Sequence, residues 1–143
     1  FGGEVSATLT EWHRVLAPGG ALFLAVPDLA ILAKLYLNGT LSLNERFFVM
    51  KMMYGGQTTK YDFHYTGFDE DLIAEFLTEA GFCEIRRIPS FGLFNDTSDM
   101  TYKGVPISLN VAATACVRSE PGALPQVPPD NERIFVDMDL GGE

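Results

Sequence analysis

Six apolar residues in a row, Ala21 to Val26, stand between Pro18-Gly19-Gly20 and Pro27-Asp28. Proline and paired glycines end regular structure on both sides of the run. Its length is that of a strand, and its lack of polar alternation suits a strand covered on both faces, as in a parallel sheet. Just before it, Val5, Leu9, Trp12 and Leu16 recur at spacings of four, three and four. That spacing predicts an amphipathic helix from about Ser6 to Leu16. His13 lies off this stripe and is expected to face solvent.

Helical patterning returns from Leu29 to Tyr54 and breaks at Asn38-Gly39-Thr40. Leu29, Leu32, Ala33 and Tyr36 line one face of the first segment; Phe47, Met50, Lys51 and Tyr54 line one face of the second. A loop follows from Gly55 to Gly67. Asp69 then reads as an N-cap, with Glu70 and Asp71 at the positive end of a helix dipole. Leu72, Ile73, Phe76, Leu77 and Ala80 form its apolar face, and Gly81 suits the left-handed position past its end. Phe82 to Ile88 predicts a strand. Phe91 to Lys103 predicts a loop turning at Asn95-Asp96, and alternation from Ile107 to Val117 predicts a last strand.

Composition narrows the function. Nineteen acids against ten bases leave a formal charge of −9 across 143 residues. Such a chain lacks the basic face that nucleic acid or an anionic membrane requires, and no apolar run is long enough to span a bilayer. Two cysteines, Cys83 and Cys116, are too few for a disulfide-built fold; their usage fits a reducing compartment and a cytoplasmic placement. Cysteines at 83 and 116 and histidines at 13 and 64 show no metal-ligand spacing. Residues 119–143 hold six acids, one base and four of the eight prolines, the composition of a mobile acidic tail. Within it Ile134-Phe135-Val136 reads as a short strand that docks locally. The body, residues 1–118, reads as one domain.

Glu11-Trp-His-Arg-Val-Leu-Ala-Pro-Gly-Gly20 followed by Ala21-Leu-Phe-Leu-Ala-Val-Pro27 resembles the helix, turn and fifth strand of class I S-adenosylmethionine-dependent methyltransferases. Gly67-Phe-Asp-Glu-Asp-Leu72 through Glu79-Ala-Gly-Phe82 resembles the next helix and the sixth strand, and Ile107 to Ala113 the seventh. Asp62-Phe-His64 and Phe91 to Ser98 resemble a predicted methyltransferase subgroup. The resemblance covers residues 4 to 118 and corresponds to the C-terminal half of that fold. It implies an α/β, partial Rossmann-like domain with strands in the order five, seven, six, seven antiparallel in the middle, flanking helices, and a helical insertion or lid at about 29–66. It implies methyl transfer to a small-molecule acceptor by in-line displacement, with S-adenosylmethionine as cofactor. The glycine-rich loop that follows the family's first strand has no counterpart in the sequence. Three arrangements are therefore open: an enzyme half, a non-catalytic interaction module without a cofactor site of its own, and one chain of a two-chain enzyme. The missing N-terminal half is one expected partner. A second copy, pairing through edge strand 21–26, is another.

Five residues stand out chemically. His64, in a loop of polar and aromatic groups, reads as a general base for an acceptor hydroxyl or amine, or as a packing histidine. Asp62, two residues away, would orient it. Asp28, just past a strand, reads as a substrate contact or as the N-cap of the next helix. Tyr65 and Asn95 read as substrate contacts; Asn95 also fits an Asx turn with Asp96 and Ser98. Met50, Met52 and Met53 suggest a pliable apolar surface.

Overall fold

A computed structural model describes residues 2–93 and 95–117; the tail from 119 and the segment 134–136 lie outside them. Helix α1 (Gly2–Val15) leads through the Gly19 turn into β1 (Ala21–Pro27). Helices α2 (Leu29–Tyr36), α3 (Leu43–Tyr54) and α4 (Glu70–Ala80) follow, then β2 (Phe82–Arg87). A two-stranded hairpin, β3 (Thr101–Tyr102) and β4 (Val105–Pro106), precedes β5 (Ser108–Ala115). The architecture is mixed α/β, with four α-helices and a small antiparallel sheet among the described residues. That sheet runs β1-β5-β2, with β5 antiparallel to both neighbours.

The central strand explains the main core. Leu109, Val111, Ala113 and Ala115 on one face of β5 pack with Leu9 of α1 and Ile73, Leu77 and Ala80 of α4. Asn110 and Ala112 face the other way and are equally buried. There Asn110 Nδ2 donates to the carbonyls of Pro89 (3.2 Å) and Ser98 (2.8 Å), pinning both residues across the sheet. Strand β1 departs from the two-sided cover that its apolar run suggests. Leu22, Leu24 and Val26 turn into the core, but Ala21, Phe23, Ala25 and Pro27 are exposed. The reason is position: β1 is the edge of a three-stranded sheet whose helices cover one face. Phe91, 5.5 Å from Phe23 between ring centres, is a local cover on the other face.

A second core joins α2 and α3 to the β3–β4 hairpin through Leu32, Leu35, Leu41, Val49 and Ile107. Here α3 corrects the sequence reading. Phe47 and Tyr54 point outward, and Val49 is wholly buried in their place. Apolar residues surround α3 on all sides, so periodicity could not choose its inner face; packing against α2 does. Its start is set by a capping box in which Ser42 Oγ accepts from the Glu45 amide and Glu45 Oε2 accepts from the Ser42 amide. Helix α4 has the expected ends: Asp69 Oδ1 accepts from Leu72 N at 2.9 Å, and Gly81 takes φ +102°. His13 is not solvent-facing. It is half-buried, with Nε2 3.1 Å from the Cys116 carbonyl and its ring edge-on to Phe82. The two cysteines, whose number fits a reducing compartment, are joined: Cys83 and Cys116 form a disulfide between β2 and the exit of β5.

Candidate functional site

Chain reversal at the carboxyl end of β1 builds the site. Asp28 N donates to Ile107 O on one side, and Leu29 N to Phe68 O on the other, each at 2.9 Å. The 55–68 loop is thereby stitched against the strand end. Gly55 makes the loop's first bend at φ +84°, and a Cβ there would collide with the Asp62 carbonyl. Asp62 closes the loop. Its carboxylate accepts from Gly56 N (3.1 Å), Thr58 N (3.2 Å) and Thr58 Oγ1 (2.9 Å). These bonds, those from Thr58 first, hold its pKa below the usual carboxylate value, so it stays ionised at neutral pH.

The expected Asp62–His64 hydrogen bond is not made, because Asp62's acceptors serve the turn amides. His64 is oriented instead by the end of α3: its amide donates to Tyr54 O at 3.0 Å, and its Nδ1 lies 3.3 Å from Met53 O. A carbonyl only accepts, so Nδ1 carries the proton in this contact, and Nε2 of the neutral ring is the basic nitrogen.

Two clefts meet at His64. One, of about 380 Å³, is apolar, walled by Leu29, Leu32, Met53, Tyr65 and Phe68. The other, of about 470 Å³, is mixed, walled by Phe48, Lys51, Met52, Asp62, Thr97 and Ser108 among others. Val26, Pro27 and His64 belong to both walls. Both volumes suit a small molecule.

Of the five residues singled out by sequence, His64, Asp62 and Tyr65 come together here. Tyr65 stacks beside Phe63, ring centres 6.2 Å apart. Asn95 is exposed in the 89–99 segment and lines neither cleft. Asp28 is 1% exposed. Its Oδ1 caps α2 through Ile31 N (3.0 Å) and its Oδ2 pairs with Arg87 (2.7 Å). It faces a separate charged groove with Lys34, Asp69 and Glu70. Sequence reasoning missed Lys51 as a wall residue because it sat within an apparent apolar stripe. It missed Arg87 because the pair with Asp28 spans 59 positions.

The residues present do not fit S-adenosylmethionine as a complete cradle. Gly2-Gly3 open α1 with no described strand before them, and Gly19-Gly20 close a turn in which Gly20 N meets Ala17 O at 2.7 Å. The space beside Gly56 is taken by Asp62 Oδ2, 2.6 Å from where a Cβ would stand. None of these is a glycine turn leading from a strand into a helix. Among the described residues no group of three His, Cys, Asp or Glu side chains could hold a metal, and no helix is long and apolar enough to cross a membrane. No protein-family model, curated protein or solved structure matches the chain.

Proposed function

We propose that this chain is the acceptor-binding half of a methyltransferase-like unit, with the methyl donor bound by residues outside those described. The observation that carries the reading is His64, held on the wall common to two clefts at the carboxyl end of β1. The mixed α/β architecture, helices packed on one face of a small sheet, supports it. The chain's own work is binding and proton handling. The apolar cleft seats the acceptor's body, and His64 Nε2 takes the proton from its nucleophilic O–H or N–H. Asp62, fixed in the carboxylate form, keeps the 55–62 loop closed beneath it.

The test is label transfer from methyl-labelled S-adenosylmethionine to a small-molecule pool, using the protein encoded by the whole gene. Labelled product should appear and fall at least tenfold in His64→Asn. Absence of product, or product undiminished by that change, overturns the reading. Calorimetric titration of this chain alone with S-adenosylhomocysteine should show no binding. Micromolar binding would mean that a donor site is present after all.

The outer edge of β1, which pairs with no strand among the described residues, favours a second reading, an interaction module that pairs with its own copy. Asp28 N points to β5 and Leu29 N away from it, so strand alternation turns the backbone groups of Ala21, Phe23 and Ala25 outward. These three are symmetric about Phe23 and uncharged, so a two-fold antiparallel pairing satisfies them all. Pro27, lacking an N–H, and the Phe68 bridge stop the pairing at the strand end. Sedimentation should show a dimer that Ala25→Pro dissociates; a wild-type monomer at millimolar concentration excludes this reading.

A further inference from the structure

We propose that the 470 Å³ cleft takes an oxyanion group, a carboxylate or a phosphate, beside Lys51. The acceptor would then be a small amphipathic molecule: anionic end at Lys51, apolar or aromatic body in the neighbouring cleft, nucleophile between them at His64. Calling the ligand an acceptor rests on the proposed function; the binding claim rests on the cleft.

Charge accounting points there. Acids outnumber bases nearly two to one, and the described cations that form ion pairs do so with those acids. Arg14 pairs with Glu11, Arg87 with Asp28 and Glu70, and Lys103 with Glu45. Lys34, Arg46, Lys60 and Arg86 are exposed, so water solvates them. Lys51 is half-buried, lines the cleft, and has no ion-pair partner among the described residues. An ammonium on the cleft wall with no counter-charge among the described residues offers an incoming oxyanion a charge-assisted hydrogen bond. One acid, Asp62, shares the wall, but its oxygens are occupied by Gly56 and Thr58. Its charge directs the anion to the Lys51 side. Thr97 stands on the same wall, where its hydroxyl is a further donor for an oxyanion; the Ser108 hydroxyl is already given to Thr97 O at 2.6 Å.

The probes are benzoate and phenyl phosphate, with benzamide as the uncharged counterpart, at constant ionic strength. Their binding is followed through the His64 ring and the Met52 and Met100 methyl signals in NMR spectra. Saturable shifts are expected, with at least one anion binding tenfold or more tightly than benzamide. Whichever anion binds tighter identifies the group as carboxylate or phosphate. Lys51→Gln and Lys51→Met, each checked for an unchanged amide spectrum, should weaken that anion at least fivefold; Lys34→Gln should not. Equal binding of benzamide, shifts that map elsewhere, or affinity unaffected by both Lys51 changes would overturn the proposal. No methyl donor is present, so failure of the methyltransferase reading leaves this result untouched, and the reverse also holds.

Discussion

Asp28 shows how a residue type points to chemistry and its surroundings to structure. Its carboxylate is buried, caps α2 and holds Arg87, which also reaches Glu70 at the start of α4. Removing Arg87 leaves a buried charge without its partner. Arg87→Met should therefore cost about 3 kcal/mol, the lower end for a buried pair, because the arginine is partly exposed. Asp28→Asn combined with Arg87→Met should cost less than the two single changes summed, read from urea midpoints. Glu45 makes a prediction in pH. Lys103 first, then the Ser42 amide, lower its pKa from 4.5 to about 2. A depressed folded-state pKa gives stabilisation that is present above the unfolded value and lost as pH falls. The urea midpoints of wild type and Glu45→Gln should thus differ at pH 7 and converge between pH 4.5 and 2. At this scale the sequence exposed His64 as a candidate but not its orienting partner. Met53 lies eleven positions earlier, and only the reversal at Gly55 brings the two together.

At the scale of elements, the helix ends marked by Asp69 and Gly81 were readable, because capping is local chemistry written within four residues. The inward face of α3 was not, since Leu43, Phe47, Val49 and Met52 offer no single stripe. Its register follows from the packing of Val49 against Leu32 and Leu35 of α2, a contact between two helices that no pattern within α3 itself records. Ser42→Ala removes half of the capping box and should cost about 1 kcal/mol in denaturant unfolding. Gly55→Ala should do more harm than its size suggests. It forces a side chain into a positive-φ position and into the Asp62 carbonyl. The 55–62 loop should open, seen as loss of the His64 amide's protection from hydrogen exchange while the amides of β5 keep theirs.

For the whole molecule, an α/β class was legible from alternating helix and strand patterns, but the cover on each strand was not. Ala21 to Val26 looks more deeply buried than Ile107 to Val117, yet β5 is central and β1 is the edge. Hydrophobicity records that a residue prefers burial; the number of neighbouring strands decides whether it achieves it. The two cysteines were likewise countable but not pairable, since 33 positions separate them. A cross-link closing a loop of that length stabilises by roughly 3–4 kcal/mol through the unfolded chain. Reduction, or Cys83→Ser with Cys116→Ser, should lower the urea midpoint accordingly.

That bond also decides how the fold would bear a mechanical load. A pull on the chain beyond Val117 reaches Cys116 first. From there it passes through the sulfur bridge to Cys83 on β2, so tension is shared by two strands and does not peel β5 from its end. In reductant the same pull meets first the Cys116–Gly81 hydrogen bond and then those of Ala115 with Gly19 and Gly20, and the sheet should unzip from the side where β1 begins.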